Sequence, residues 1–253
     1  MHNPRHIAIT GASSGIGAAL AAAYAASGVT LTLQGRDAAR LAAVAAVAQA
    51  KGATTATGVM DVTDRAALES WLRARDAELP VDLLIANAGI SGGTAEGGES
   101  PEQTRRIFAV NLDGVVNTVY ALLPAMTGRR RGQIALMASL AGFRGLPGAP
   151  AYSASKGVVR LYGEALRGDL APKGVEVNVI CPGYVATPMT AVNKFTMPFL
   201  MTAEKAAVII QTGLARNRAR IAFPFPTYAA VWLLAALPPC LTDRIVALFP
   251  KKS

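Results

Sequence analysis

Cysteine, histidine and acidic residues are all scarce in this 253-residue chain, and each shortage narrows what it can be. The two cysteines, Cys181 and Cys240, form no CxxC pair and no metal-ligand spacing with His2 or His6. Their thiols are therefore expected to be reduced, in a cytosolic setting. Charged residues make up only 16% against 52% apolar ones, a balance that argues against disorder. No uninterrupted apolar run reaches the roughly 20 residues a spanning helix needs. The first ten residues hold no apolar stretch of signal-peptide length. Internal repeats, low-complexity linkers and a composition break marking a second domain are missing as well. A chain of this length is expected to form one large α/β domain with a sizeable core. What is plentiful is positive charge: 25 Lys and Arg against 16 Asp and Glu, an excess of nine. That excess suits an anionic partner, whether a phosphorylated cofactor, an acidic lipid surface or nucleic acid. No zinc-finger or RNA-recognition signature supports nucleic acid. The arginines are scattered, apart from Arg129-Arg130-Arg131 and the series Arg216, Arg218, Arg220.

The first half reads as strand, glycine turn, helix. Residues 6–10 are a short β-prone run, Gly11-Ala12-Ser13-Ser14-Gly15-Ile16-Gly17 follows at once, and residues 18–27 are alanine-rich and helical. Glycines allow a tight turn and a close backbone approach to a pyrophosphate, and a helix N-terminus offers free N–H groups to its charge. The spacing is G-x-x-x-G-x-G, so dinucleotide binding is weighed against a plain tight turn. A second strand, residues 29–34, ends in Gly35-Arg36-Asp37. The slot where dinucleotide folds carry an acid for the adenosine ribose is Gly35, and Arg36 suits a 2′-phosphate, which favours NADP over NAD. Arg36 as a plain surface residue and Asp37 as a ribose ligand stay open. Residues 57–60 read as strand three, followed by Asp61-Val62. Asp61 is either an adenine partner or a helix cap. Residues 81–86 read as a buried parallel strand leading into Asn87-Ala88-Gly89. Strands alternating with helices imply a doubly wound parallel sheet of Rossmann type, whose ligands sit beyond the strand C-termini.

The second half carries the chemistry. Ser100-Pro101 starts a long helix that contains Asn111, an asparagine that needs a partner or a water in apolar surroundings. Residues 133–138 read as strand five, with Ser139 at its end. Tyr152 stands thirteen positions later on the helix to residue 170, beyond a bend at Gly145, Pro147, Gly148 and Pro150. Lys156 follows Tyr152 by four residues, one helical turn away on the same face. A phenol titrates near pH 10, and a neighbouring ammonium is expected to lower that, making a proton donor and acceptor. Strand six, residues 175–180, is followed by Pro182-Gly183, Val185 and Thr187.

With Thr10-Gly11-xxx-Gly15-x-Gly17, Asn87-Ala88-Gly89, Asn111, Ser139, Tyr152-xxx-Lys156 and Pro182-Gly183 in this order and spacing, residues 6 to about 190 resemble the short-chain dehydrogenase/reductase family. One departure is Ala86, where many members carry an asparagine. The resemblance implies hydride transfer between NAD(P)H and a carbonyl or alcohol. It implies Tyr152 as acid/base, with Lys156 lowering its pKa and holding the nicotinamide ribose. It further implies Ser139 on the substrate oxygen and Asn111 anchoring a relay water. Gly11, Ser13, Ser14, Gly15, Ile16 and Gly17 would line the pyrophosphate turn. Arg36, Asp61, Val62, Asn87, Ala88 and Gly89 would lie along the adenosine, and Pro182, Gly183, Val185 and Thr187 along the nicotinamide. Residues 1–190 would form the dinucleotide-binding and catalytic core, and residues 191–253 a substrate loop and apolar C-terminal extension of the same domain. Members are often homodimers or homotetramers built through the helices around Asn111 and Tyr152.

The tail matches no motif. Met189, Phe195, Met197, Phe199, Leu200 and Met201 suggest a lipophilic substrate, or a lid packed on its own core. Residues 228–237 and 241–249 read as two short apolar helices before Lys251-Lys252. They suit a dimer interface, a cover for the core, or peripheral docking on a membrane. A sensor or scaffold that binds NAD(P) without turnover, and an epimerase or dehydratase acting on a nucleotide sugar, are the competing functions. Ser139, Tyr152 and Lys156 together argue against the first, and the short tail leaves little room for the second.

Overall fold

The computed structural model describes residues 3–92, 99–193 and 195–247. β1 (His6–Ile9) leads into α1 (Gly15–Tyr24), β2 (Thr30–Gly35) into α2 (Ala38–Ala50), β3 (Thr54–Val59) into α3 (Arg65–Glu78), and β4 (Leu83–Ala86) into α4 (Pro101–Phe108). A π-helical turn, Ala109–Asp113, joins α4 to α5 (Gly114–Gly128) without a break. β5 (Gly132–Met137), α6 (Pro150–Leu170) and β6 (Val175–Pro182) complete the alternation. Beyond them come β7 (Val185–Ala186), α7 (Pro188–Ala191), β8 (Met201–Thr202), α8 (Ala203–Ala215), β9 (Arg220–Phe223), α9 (Phe225–Ala236) and α10 (Pro239–Ala247).

Seven strands pair in parallel in the order β3-β2-β1-β4-β5-β6-β9, the Rossmann-like doubly wound sheet expected from the sequence. Successive strand residues face opposite sides of a sheet. Ile7, Ile9, Leu31, Leu33, Leu83 and Ile85 meet α1, α2 and α8 on one face. Ala8, Leu84, Ala86, Ile134 and Leu136 meet Leu68, Leu72, Val119, Leu122 and Val159 on the other. Both faces are covered, so the central strands are continuous apolar runs rather than alternating ones. The edge strand β3 starts at Thr54, three residues before the expected start, because its exposed threonines carry no apolar signal. α1 starts inside the glycine motif, at Gly15 rather than residue 18.

Two charge groups that looked available for partners are structural. The Arg129 guanidinium donates to both Asp76 carboxylate oxygens, at 2.9 and 2.8 Å, and to the Val81 carbonyl at 2.7 Å. Arg131 pairs with Asp82 at 3.1 Å, and Asp82 also accepts from the Arg5 backbone N–H at 2.8 Å. These ties lock the N-terminal ends of β1 and β4 to the start of β5. Arg220 is held by Glu164, its Nε 3.1 Å from Oε1, and donates to the Tyr228 hydroxyl at 3.1 Å. His6 is buried with both ring nitrogens occupied, by the Leu79 carbonyl and the Thr32 hydroxyl, and burial keeps its pKa below the usual histidine value.

The continuous helical run Pro101–Gly128 has the length and hydropathy of a membrane span, but half of its apolar window is buried inside the fold, against α3 and the sheet. In the tail, α9 and α10 are seated on the core by Tyr228, Val231, Thr242 and Val246, and by an Arg144–Asp243 pair at 2.6 Å. Their outer faces leave Phe225, Trp232, Leu233, Leu241 and Ile245 exposed. The membrane-or-subunit expectation falls on this surface; its Lys251-Lys252 part, like residues 248–253 as a whole, lies outside the described residues, as does His2.

Candidate active site

The strand order reverses between β1 and β4, and the crevice beyond their C-terminal ends is where open α/β sheets place ligands. Here it is a groove whose floor is the turn from Thr10 to Ser14. Gly11 has φ +65°, and a Cβ there would stand 2.8 Å from the Ala88 Cα. A Cβ on Gly17 would stand 2.3 Å from the Gly11 carbonyl oxygen. The two glycines let turn, helix and β4 loop close on one another. Ser14 precedes α1 without a side-chain cap bond, and no acidic residue occupies the first turn. Exposed N–H groups and the positive helix end thus face the groove along Ser13, Ser14, Gly15 and Ile16. Asn87 braces the turn: its Nδ2 donates to the carbonyls of Thr10 and Gly11 at 3.0 and 3.1 Å. The Thr10 hydroxyl accepts in return from the N–H groups of Asn87 and Ala88.

At one end of the groove lie Gly35, Arg36, Asp37, Arg40, Asp61 and Val62. Ser13 lies beside Gly35, its Cβ 3.0 Å from where a Cβ would be, so any larger residue there would press on it. Asp37 caps α2 by accepting from the Arg40 N–H, and its other oxygen pairs with the Arg40 side chain at 2.8 Å. Asp61 bonds Thr63 and Arg106, which hold its carboxyl below the usual range, and stands 3.6 Å from Arg36. The helix cap weighed for Asp61 falls instead to Asp64, whose side chain accepts from the Ala67 N–H, and Asp61 makes a local turn with Thr63. Arg36 remains more than half exposed.

At the other end stand Ser139, Tyr152 and Lys156, brought together by β5 and α6. Ser139 extends from the β5 terminus, and its hydroxyl is a hydrogen-bond partner of the Tyr152 hydroxyl. The Ser139 oxygen also accepts from the Ala141 N–H at 3.1 Å. Lys156 is buried, with Nζ 5.9 Å from the Tyr152 ring centroid and donating to the Met137 carbonyl at 2.8 Å. Burial, the largest influence on each, raises the phenol pKa above 10 and pulls the lysine down to about 8. The expected lowering of the phenol by its lysine is not seen in this arrangement: burial dominates, and the hydrogen bond from Ser139 is what works against it.

Two other expected residues lie one layer behind the groove. Gly17 packs under the turn rather than lining it. Asn111, fully buried in the π turn, accepts from the Ile90 N–H at 2.8 Å and donates to the Ile90 carbonyl and the Ser155 hydroxyl, both at 3.0 Å. Ser155 donates in turn to the Tyr152 carbonyl at 2.8 Å. Both Asn111 amide hydrogens are thus used by protein, and the side chain fixes α6 against the β4 loop. The remaining expected residues, including Gly89, Pro182, Gly183, Val185 and Thr187, all line the groove.

An apolar cavity of about 500 Å³ opens beside Ser139 and Tyr152. Leu140, Leu146, Pro147, Phe195, Pro198 and Val231 form much of its wall. Met189 and Phe195 stand where the sequence placed a lipophilic site, but Phe199 and Leu200 turn outward, 60% and 46% exposed, and Met201 belongs to β8. Leu146, Tyr184, Thr227 and Val231 were missed, since they come from loops and a helix that carry no shared spacing; only Tyr184, directly after Pro182-Gly183, had a nearby signal.

The sequence pattern of short chain dehydrogenases matches residues 5–197. Over 237 residues the chain is 42% identical to an uncharacterized oxidoreductase of Myxococcus xanthus, covering 93% of each. A short-chain dehydrogenase from Sphingobium yanoikuyae in complex with NADPH superposes with a TM-score of 0.81 at 26% identity, over 98% of this chain and 97% of that one. A short chain dehydrogenase from Mycobacterium paratuberculosis bound to NAD superposes at 0.76, also at 26% identity, over 86% and 94%.

Burial of Lys156 sets a stability expectation. The unfolded chain keeps this lysine protonated up to its usual 10.5, whereas the folded one releases the proton near 8. The fold therefore loses stability below pH 8 and recovers it between 8 and 10.5. Lys156→Met is expected to be more stable than the parent by about 3 kcal/mol at pH 7, with the gain shrinking as pH approaches 10.5. Urea denaturation across this range checks it, and a gain independent of pH would contradict it.

Proposed function

The chain belongs to the short-chain dehydrogenase family of NAD(P)-dependent oxidoreductases, and on that premise we propose that it reduces a lipophilic ketone or aldehyde, or oxidises the matching secondary alcohol, with NADPH/NADP as the preferred cofactor and Tyr152 as acid and base. The observation that carries this reading is the position of Ser139 and Tyr152 on the wall shared by the groove and the apolar cavity. A reacting carbon in the cavity and a cofactor in the groove would meet along that shared wall, which Gly183, Met189 and Thr190 complete.

The groove fits a dinucleotide: the uncapped α1 terminus suits phosphates, and the glycine turn admits them closely. When bound, the nicotinamide supplies or accepts the hydride. The protein supplies the proton and the orientation. Burial keeps the Tyr152 phenol protonated at neutral pH, the form that can donate to a carbonyl oxygen as it gains charge. The Ser139 hydroxyl, already paired with Tyr152, holds that oxygen in line. Lys156 contributes a cation beside the phenol, held in place by the Met137 carbonyl, that stabilises the phenolate left behind. Asn111 acts as a positioning residue through Ser155. In the oxidising direction Tyr152 takes the proton back. A cavity of about 500 Å³ with an apolar wall supports a lipophilic substrate of drug-like size.

Preference for NADP rests on Arg36. No carboxylate occupies position 35, Asp37 is committed to Arg40 and the α2 cap, and Arg36 is exposed at the groove. Arg36→Ala is expected to raise the KM for NADPH about 10-fold while leaving that for NADH unchanged. Equal changes for both cofactors would remove the basis for the preference.

Tyr152→Phe tests the chemistry. Turnover of a ketone panel is expected to fall by about three orders of magnitude, with NADPH binding by fluorescence titration within twofold of the parent. Retained turnover would contradict the assignment of Tyr152. Absence of turnover in the parent itself would favour a protein that binds the cofactor without using it.

A further inference from the structure

Helix α9 has no charged side to turn outward. Residues 225–241 hold no charged side chain, and α9 is one of the short apolar helices of the chain. Two stripes run along it at helical spacing. Tyr228, Val231 and Leu234 are half-buried; the first two pack on the core, and Val231 also lines the apolar cavity. Phe225, Ala229, Trp232, Leu233 and Ala236 form the opposite stripe and are all exposed, Phe225 by 74% and Trp232 and Leu233 by 54% each. α10 continues the pattern. Thr242 and Val246 are its buried residues, which turns Leu241, Arg244 and Ile245 outward. A surface helix of a globular domain ordinarily carries polar and charged groups on its outer face. Large exposed apolar side chains on two successive helices mean a docking surface.

The charge around this surface selects what docks there. Its acidic residue, Asp243, is taken by Arg144 at 2.6 Å. Arg244, exposed between Leu241 and Ile245, has no ion-pair partner among the described residues. Lys251-Lys252 follow α10 in the sequence, and the chain as a whole carries an excess of nine positive charges. A second copy would bring the same excess and, from 225 to 242, no carboxylate to meet Arg244. An anionic lipid surface supplies both what the stripe lacks, an apolar layer, and what the arginine and the lysines lack, a negative charge. Phe225 and Trp232 are the kind of side chain that settles at the boundary between headgroups and acyl chains. We propose that α9 and α10 dock this protein on an anionic lipid surface, with the outward stripe of α9 against the acyl boundary and Arg244 at the headgroups. The helix that walls the apolar cavity from one side then faces the lipid on the other.

Flotation of the full chain with vesicles tests this, using phosphatidylglycerol mixed into phosphatidylcholine against phosphatidylcholine alone. The parent is expected to bind the anionic vesicles at least about 10-fold more tightly than the neutral ones, and to release them as salt rises. The triple variant Phe225→Ser, Trp232→Gln, Leu233→Gln is expected to lose more than about 10-fold in affinity. Arg244→Gln, a single surface change that keeps the test open should the triple variant not fold, is expected to lose about fivefold on anionic vesicles and nothing on neutral ones. NADPH binding is expected to stay within twofold of the parent in both variants, which separates this proposal from the reading of the active site. A parent that stays at the bottom of the gradient with both vesicle types, that binds both equally, or that is matched by the triple variant would overturn it. Light scattering covers the other occupant. A molecular mass that falls in the triple variant, with no vesicle binding by the parent, would give the surface to a second copy and overturn the lipid assignment.

Discussion

One lysine held away from water governs the site. Lys156 lies between α6 and the end of β5, with its ammonium on the Met137 carbonyl and the Tyr152 ring above it. A charge in that place is expensive, and the cost shows as a pKa drawn down to about 8. The same dryness raises the phenol. The pair therefore suits the proton donation proposed for Tyr152 at neutral pH, and a phenolate, once formed, would have a cation within reach.

Everything that fixes this pair belongs to the sheet. The covered parallel strands place every strand-to-helix turn at one edge, and the reversal of order at β1 and β4 opens the groove there. Asn87 ties the glycine turn to the β4 loop, and Asn111 ties that loop through Ser155 to α6. The glycine turn and the helix that carries Tyr152 are thus both tied by hydrogen bonds to the one β4 loop. The apolar cavity proposed for the substrate sits outside that frame, lined by residues brought in from the β5–α6 loop, the segment after α7, and α9.

Local spacing made the frame legible. Gly11, Gly15, Tyr152 and Lys156 act through turns and helical repeats that the sequence displays directly, and Ser139 follows from the end of an apolar strand. What depended on distant contacts was not legible. Arg129 and Arg131 look like free charge until Asp76 and Asp82, about fifty positions earlier, are seen beside them. Gly17 looked like a groove residue because spacing cannot report depth. The direction of the Tyr152 shift was misjudged for a related reason: a neighbouring charge can be read from a four-residue interval, but desolvation depends on everything packed around it. The cavity was legible only at Met189 and Phe195, since its other walls share no periodicity.

The account's central claim is that Ser139 and Tyr152 present a proton to a carbonyl where the groove and the cavity meet. A crystal structure of the protein with NADPH and an unreactive carbonyl analogue tests it most directly. The account predicts the analogue's oxygen at about 3 Å from both hydroxyls, with the nicotinamide ring alongside. An analogue seated in the cavity with its oxygen turned away from Ser139 and Tyr152, or a nicotinamide lying outside the groove end they share, would contradict it.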